Sequence, residues 1–531
     1  MTAICVPIFV KDGVDLEEVI GEAEDALRGT EGMIELRCDT ARNNQMYEAL
    51  EITRLPAIVT IRPTWEGGFS EKSEKDRIDF WLEAMDAGAD YIDVELVAWE
   101  KSKAIREAIE DSAEKTGTRV VVSNHSFGGR PGDLMERVKR LRAVKAASVL
   151  KIAWKAESIL DGIDALRLTR EVREQDGRPV VALAMGEEGQ ISRILAKKFG
   201  AAGGGFTFAS ATRGKESAPG QPTVAELVGR YRWAKQDAGT PVFGVVGWPV
   251  GHSLSPHAHN AGFDAVGARG VYVPLPVRPE YESFRAAVEG MRAVEGMNVR
   301  GLSVTIPHKE NAFRYVREHG DEIDDISRSI GVINTMLWDK RGKVRGLNSD
   351  YAGALDALVT AWSGKREDVR GKRIAVVGAG GAARAIVAAL AAHGATVVIY
   401  NRTREKAEAL AAEFGSKYPQ AKVVAGPWEE LCKSCSETYI NCTPLGMHPN
   451  VKTSPIEGDP AWNAETVVFD TVYNPPKTKF LKLAESKGAK TIAGTEMFVG
   501  QAAIQFREFT GKDAPLDVFR RVMREALSAG S

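Results

Sequence analysis

Residues 239–256, GTPVFGVVGWPVGHSLSP, divide the chain. Gly239, Thr240 and Pro241 interrupt the preceding pattern, and the apolar run VFGVVG then reads as a buried strand. His252, Ser253, Leu254, Ser255 and Pro256 follow as a loop that opens a helix-period segment. Upstream lies a repeating strand–helix series with a lysine inside an apolar strand. Downstream lies a second α/β unit with a glycine-rich fingerprint. The stretch is read as the seam between them.

Composition bounds what the two sides can be. Of 531 residues, 44% are hydrophobic and 27% charged, as in ordinary globular proteins, and the length suits about three domains. A formal net charge of -2 gives no electrostatic reason to expect nucleic acid or a membrane surface as partner. No apolar run approaches the roughly 20 residues of a membrane span. Met1 leads almost at once into an apparent strand at 3–9, leaving no room for a signal or transit peptide, so a cytoplasmic location is expected. The five cysteines are scattered and odd in number, which fits a reducing compartment. Cys432-Lys-Ser-Cys435 has no second pair, and His257-x-His259 has no carboxylate or cysteine cluster near it, so no metal is expected.

In the first half, short apolar or alternating runs recur at 4–9, 33–38, 57–62, 91–96, 119–123, 149–153, 180–184 and 205–208. Amphipathic stretches such as 16–27, 75–87, 101–115, 131–144 and 158–173 separate them. About eight βα units in about 235 residues predict a (β/α)8 TIM barrel, whose chemistry sits at the C-terminal strand ends. Polar residues fall there: Glu35, Arg37, Arg62 with Glu66, His125 in SNHSF, and Lys151 in SVLKIAW. An ammonium flanked by Val149, Leu150, Ile152 and Ala153 is costly to bury charged, which favours the neutral amine that attacks a ketone. A barrel lysine paired with a carboxylate is the plainer alternative.

Together with Arg193, and with Ser217 and Gln221 in SAPGQ, this set resembles the type I 3-dehydroquinate dehydratases across the whole first half. The resemblance implies that Lys151 forms an imine with the C3 ketone of 3-dehydroquinate. His125 would move protons as general acid/base, oriented by Glu66. Arg193 would clamp the substrate carboxylate, and Ser217 and Gln221 would lie on a closing segment, 214–222. Glu35, Arg37 and Arg62 would contact hydroxyls or developing charge.

In the second half, Ser253 and Ser255 stand at a strand-to-helix boundary, where residue type alone favours a helix cap over ligand binding. GLSVTIPHK presents Thr305 and Lys309, GVINT presents Asn334, and GLNSD presents Asn348 and Asp350. Such residues converging on a cleft suit a polyhydroxylated ligand. The strand KRIAVV then opens onto Gly378-Ala379-Gly380-Gly381-Ala382-Ala383, a G-x-G-x-x-A turn before a helix, fit for a pyrophosphate. The next strand ends in Asn401-Arg402-Thr403, with no acidic residue for ribose hydroxyls, so NADP(H) is expected over NAD(H).

SLSP, VTIPHK, GVINT, GAGGAARA, NRT, NCTPLGM, FDTVYNPPKT and GTEMFVGQA resemble shikimate dehydrogenases over essentially all of 241–531. By that resemblance Lys309 and Asp350 are the catalytic pair. Ser253, Ser255, Thr305, Asn334, Asn348, Tyr473 and Gln501 bind substrate, and Gly494 and Met497 pack near the nicotinamide. Ser303 departs from the usual bacterial asparagine and resembles the fused plant-type enzymes.

Four segments are expected: a barrel at 1–238, a substrate lobe at 241–345, a Rossmann NADP lobe at 346–493, and C-terminal helices at 494–531 packing back on the substrate lobe. The joint resemblance is to plant-type bifunctional enzymes that convert 3-dehydroquinate through 3-dehydroshikimate to shikimate. The partners expected are these small molecules, and nothing requires more than a monomer or weak homo-oligomer. A catabolic quinate/shikimate dehydrogenase is an alternative. A ligand-sensing regulator built from degenerate copies is disfavoured, because Lys151, His125, Lys309 and Asp350 are all present.

Overall fold

A computed structural model describes residues 2–200, 205–320 and 322–529. Contacts divide the chain into two compact units, Met1–His252 with Gly270–Val299, and Ser253–Arg269 with Arg300–Ser531. Among the described residues, no helix is long and apolar enough to cross a membrane.

The first unit is built on eight parallel strands: β1 (Ala3–Phe9), β2 (Gly32–Arg37), β3 (Ala57–Thr60), β4 (Tyr91–Glu95), β5 (Arg119–Ser126), β6 (Ala147–Lys155), β7 (Val180–Met185) and β8 (Phe206–Phe208). They pair in the order β7-β6-β5-β4-β3-β2-β1-β8. Cys5, Met33, Ile58, Tyr91, Val121, Val149, Val181 and Phe206, one from each strand, share a single core cluster. That shared interior makes the sheet a (β/α)8 barrel, nearly closed by hydrogen bonds. All eight expected strands are present. β3 ends at Thr60, two residues early, whereas β5 runs on to Ser126 and places His125 within the strand.

Period-2 alternation explains the floor of the barrel's polar end. Counting by two from the apolar interior positions reaches Glu35 and Arg37 on β2, Asp93 and Glu95 on β4, Ser123 and His125 on β5, and Lys151 on β6. Register lines up Glu95 with Ser123, and Ser123 with Lys151. The helices are fixed locally: Asp15 caps Leu16–Leu27 by accepting from the Glu18 N–H, and Ser158 opens Ile159–Asp176 in a capping box with Asp161. This unit also contains the parallel pair β9 (Val242–Gly247) and β10 (Val271–Pro276).

In the second unit, β11 (Val299–Val304) pairs antiparallel with β13 (Thr335–Trp338), which pairs antiparallel with β14 (Val344–Leu347); β12 (Glu322–Ile323) adds in parallel to β14. Six parallel strands follow: β15 (Arg373–Val377), β16 (Thr396–Tyr400), β17 (Lys422–Gly426), β18 (Thr438–Asn441), β19 (Val467–Asp470) and β20 (Lys490–Ile492). Their order, β17-β16-β15-β18-β19-β20, is that of a doubly wound dinucleotide-binding sheet. Ile374 and Val376 face one apolar cluster and Ala375 and Val377 another, so β15 is buried on both faces. The helix Gly494–Thr510 packs on Ser349–Ala361 so closely that a Cβ at Gly500 would lie 3.2 Å from Gly353 Cα. Phe506 and Phe519 pack against the helix Ser255–Ala265 at Gly262.

The turn after β3 folds back on Arg62: Gly68 N–H donates to Pro63 O (3.0 Å) and Ser70 N–H to Arg62 O (3.0 Å). A Cβ at Gly68 would stand 2.0 Å from the Arg62 carbonyl oxygen, an immovable backbone atom. Gly68→Ala should therefore destabilise the barrel by about 1–3 kcal/mol. Calorimetry on the full chain should show the loss as a lowered transition with reductase activity retained; an unshifted transition would contradict the crowding.

Candidate active sites

One cavity of about 1110 Å³ opens in the barrel. Glu35, Arg37, Arg62, Glu66, His125, Lys151, Arg193, Ser217 and Gln221 all line it. Every barrel residue singled out from sequence thus meets at one place.

Its floor is an ion network. Arg62, 3% exposed, donates from Nη1 to Glu95 Oε1 (3.0 Å), Ser123 Oγ (2.8 Å) and Glu66 Oε2 (3.3 Å), and its Nη2 forms an ion pair with Asp93 Oδ1 at 2.8 Å. Arg77 pairs with the other oxygen of Glu95 and stacks on Trp81. Lys151 Nζ lies 3.0 Å from Asp93 Oδ2 and 3.4 Å from Glu35 Oε1, with the Phe208 ring 4.6 Å away. The lysine is therefore a paired cation, not a lone amine in an apolar strand. Burial works against ionising Asp93, but Arg62 and Lys151 hold its carboxyl far below the usual carboxylate range.

His125 Nδ1 lies 2.9 Å from Glu66 Oε2. Burial, then Arg62 and Lys151, pushes the imidazole well below its ordinary value. Burial also pushes the Glu66 carboxyl up to about 8, against the pull of Arg62. One proton between them gives the pair two faces. With Nδ1 protonated and Glu66 ionised, Nε2 offers a lone pair; when Nε2 takes up a second proton, the Nδ1 proton passes to Glu66 and Nε2 offers an N–H. Arg193, 2% exposed, donates from Nη1 to Ala184 O (2.9 Å) and leaves Nε without a partner. Burial alone lowers it to about 10. An unpaired buried guanidinium in a cavity calls for an anionic ligand. Ser217 N–H and Oγ both engage Gln221 Oε1 (3.0 and 3.1 Å), and Gln221 Nε2 is left unpartnered.

The second site lies in the second unit. Lys309 Nζ stands 2.6 Å from Asp350 Oδ2, both partly exposed. Asn348 accepts from the Asp350 N–H (2.9 Å) and caps the helix Ser349–Ala361. Asn334 Nδ2 donates to Ser349 Oγ (3.0 Å), and Ser349 Oγ lies 3.5 Å from Gln501 Oε1. Asn348 Nδ2 is buried without a partner. Thr305 follows directly on Val304, whose N–H donates to Asn334 O (2.7 Å). No hydrogen bond among the described residues ties Ser253, Ser255 or Tyr473 into this network. The expected capping by Ser253 or Ser255 is absent: Leu254 is the cap residue, and Ser253 Oγ only accepts from the Ser255 N–H (3.3 Å). Ser303 Oγ donates to Gln505 Oε1 (2.8 Å), and Gln505 Nε2 donates to Asn334 O and Thr335 Oγ1. Ser303 thus serves the internal frame that holds Asn334.

The glycine-rich turn passes from β15 into the helix Gly381–Ala392. Gly378 has φ +109°, and a Cβ there would meet Thr443 and Cys442 at 3.1–3.2 Å, so glycine is required. Ala379 is half-buried. Gly380, Gly381 and Ala382 are exposed at the helix N-terminus, and Cβ atoms at the two glycines would meet open space. That cradle fits a pyrophosphate. Arg402 and Thr403 are exposed just beyond β16, where Asn401 Nδ2 donates to Thr403 O (2.7 Å). Gly494 begins its helix against the Val472 carbonyl, 2.4 Å from where a Cβ would lie, and Met497 packs on the apolar cluster around Ile374 and Ile492. No group of three or more His, Cys, Asp or Glu is placed to hold a metal ion among the described residues.

Sequence reasoning passed over Asp93, Glu95 and Ser123, and in the second unit Ser349 and Gln505. The period-2 count from Tyr91 and Val121 would have reached the first three.

The fold and sites define the class: a barrel lyase and a two-lobed pyridine-nucleotide dehydrogenase on one chain. The type I 3-dehydroquinase model matches residues 4–238, the shikimate dehydrogenase substrate-binding domain 245–336, shikimate/quinate 5-dehydrogenase 362–431, and the shikimate 5'-dehydrogenase C-terminal domain 494–524. A chloroplastic bifunctional 3-dehydroquinate dehydratase/shikimate dehydrogenase of Arabidopsis thaliana is 37% identical over 98% of this chain and 84% of its own length. A shikimate dehydrogenase (NADP(+)) of Methanothermobacter thermautotrophicus is 41% identical over 54% of this chain and 98% of its own. A solved shikimate dehydrogenase in complex with NADP+ is 35% identical, covering 55% of this chain and 96% of its own, at TM-score 0.49. The chain belongs to the family of bifunctional 3-dehydroquinate dehydratase/shikimate dehydrogenases.

The charge network makes stability pH-dependent with a definite sign. Glu66 keeps its proton in the native state up to about pH 8, whereas the unfolded chain releases it near 4.5. Native stability from this group therefore falls as pH rises across that window. Asp93, depressed in the fold, acts oppositely: its contribution is present above about pH 4 and lost as pH falls. Glu66→Gln should gain on wild type progressively from pH 5 to 8, by on the order of 3 kcal/mol at the top. Parallel unfolding curves across that range would refute the assignment.

Proposed function

We propose that the barrel cavity dehydrates 3-dehydroquinate through an imine on Lys151, and that the Lys309–Asp350 site reduces 3-dehydroshikimate to shikimate with NADPH. The observation that carries the first half is the convergence of Lys151, the Glu66–His125 pair and the unpaired Arg193 on one cavity. Arg193 holds the substrate carboxylate and aims the ketone at Nζ. The nitrogen attacks the carbonyl carbon, the oxygen leaves as water, and the nitrogen keeps one hydrogen and the positive charge. In the form with Glu66 ionised and Nδ1 protonated, Nε2 of His125 takes a proton from beside this electron sink, and the same pair returns it to the departing β-hydroxyl, which leaves as water. Hydrolysis frees Lys151 and the product.

In the second unit, Asp350 holds the Lys309 ammonium at 2.6 Å, positioned to give a proton to the substrate carbonyl oxygen. Asn334, Asn348 and Gln501 offer amides to hydroxyls, with Ser253, Ser255, Thr305 and Tyr473 completing the substrate set. NADPH, when bound, would supply the hydride; the turn at Gly378–Gly381 would hold its pyrophosphate, Arg402 and Thr403 its 2′-phosphate, and Gly494 and Met497 would contact its nicotinamide. The names of the relatives support NADP, and the exposed Arg402 is the feature of this chain that supports it.

Purified protein given 3-dehydroquinate and NADPH should consume NADPH and release shikimate. Lys151→Ala should abolish dehydration yet spare reduction of supplied 3-dehydroshikimate, and Lys309→Ala the reverse; loss of both activities in folded protein from either change would overturn the two-site reading. Arg402→Ala should cost about tenfold or more in kcat/KM for NADPH, the worth of one charge-assisted contact, and little for NADH. An equal loss with both cofactors would place Arg402 elsewhere.

A further inference from the structure

Asp93 is buried directly behind the reactive lysine, and it does not line the cavity. Its two oxygens are used differently. Oδ1 accepts from Ser123 Oγ (2.6 Å) and forms an ion pair with Arg62 Nη2 (2.8 Å), which fixes the carboxylate plane; Oδ2 faces Lys151 Nζ at 3.0 Å. Glu35, the other carboxylate at Nζ, is farther away at 3.4 Å, shares its Oε1 with Thr60 Oγ1 (2.9 Å), and does line the cavity. A ligand entering the cavity therefore meets Glu35, but reaches Asp93 only through the lysine nitrogen.

We propose that Asp93 is the counter-ion of the Lys151 iminium, staying with the nitrogen through the covalent cycle. This rests on the imine reading above. When Nζ bonds to the substrate carbon and water leaves, the nitrogen retains one N–H and the positive charge. The resting contact already directs an Nζ hydrogen at Oδ2, so that N–H has an acceptor without rearrangement. When the proton beside the iminium departs, its electron pair flows to nitrogen and the charge facing Asp93 is neutralised. Return of the pair, with loss of the β-hydroxyl as water, restores that charge. Asp93 thus stabilises both the first cation and its regeneration, by a fixed charge that needs no reorganisation. The other ionisable or charged groups facing this nitrogen and carboxylate are Cys5, Glu35, Arg62, Glu66 and His125.

Asp93→Asn keeps the shape and removes the charge. Dehydratase kcat should fall by about 100-fold, the scale for losing one preorganised electrostatic partner. Without the anion the lysine nitrogen gives up its proton more readily, so the acid limb of kcat/KM should move to lower pH. Borohydride with 3-dehydroquinate should still reduce an adduct onto Lys151, seen as a mass increase. A kcat within a few-fold of wild type, or an unmoved acid limb, would overturn the counter-ion role. Absence of the adduct in wild type would instead sink the imine reading. Asp93→Glu retains the charge one methylene away. It should lower kcat about tenfold with the wild-type acid limb preserved, and a displaced limb there overturns the proposal even if the asparagine variant fails to fold.

Discussion

The guanidinium of Arg62 sits beneath the barrel cavity among three carboxylates, and the placement of the side chains around that cavity depends on it. Glu66 orients His125, Asp93 faces Lys151, and Glu95 ties Arg62 to Arg77. Each of these ions costs several kcal/mol to take out of water, and only near-complete pairing makes the burial tolerable. The charge balance is uneven: Arg62, Arg77 and Lys151 face Glu35, Glu66, Asp93 and Glu95. Burial works against ionising these acids, and neighbouring carboxylates add to it, so the balance favours one of them keeping its proton. Glu66 is the one pushed up to about 8, and it is the carboxyl joined to the imidazole. The proton held on this carboxyl is thus a consequence first of burial and then of the neighbouring carboxylates.

The second unit meets a different demand with different physics. Its site must admit a large cofactor as well as a substrate, so its lysine–aspartate pair is partly exposed and its framework is largely uncharged. Gln505 bridges Ser303 on β11 to Asn334 and Thr335 at β13, and Asn334 in turn holds Ser349. Amides and hydroxyls of this kind cost less to bury than ions and set positions through directionality. The dinucleotide turn is likewise built from backbone, with Gly378 forced to φ +109° and Gly380 and Gly381 leaving open space at a helix N-terminus. Beyond β16, the exposed Arg402 carries charge where solvent screens it.

Much of this was legible in the sequence because the signals are local. Lys151 stood out as a charge inside an apolar run, and the glycine turn stood between a strand and a helix. The eight βα units followed from alternating periods. Asp93, Glu95 and Ser123 were not legible in the same way. In YIDVE and VVVSN, single polar residues look like ordinary strand alternation, and the partners of Asp93 at Ser123 and Lys151 lie 30 and 58 residues away on other strands. Ser253 and Ser255 show the converse error. Hydroxyl chemistry at a helix start favours a cap, but Leu254 takes the cap position and the serines remain uncommitted. The grouping of 270–299 with the barrel strands was hidden for the same reason, since compactness is set by contacts between distant segments.

On the proposed reading, both sites must recognise the same carboxylate, because the product of one is the substrate of the other. The barrel meets it with Arg193, a buried guanidinium with no carboxylate of its own. The reductase set contains Ser253, Ser255, Thr305, Asn334, Asn348, Tyr473 and Gln501, with Lys309 already committed to Asp350. The difference follows from the chemistry. Imine formation requires the ketone to be held at a fixed nitrogen through several covalent steps, so strong ionic anchoring is spent on orientation. Reduction is a single passage in which substrate and cofactor must both enter and leave, and neutral donors of about 1 kcal/mol each suit release better than a buried ion pair would.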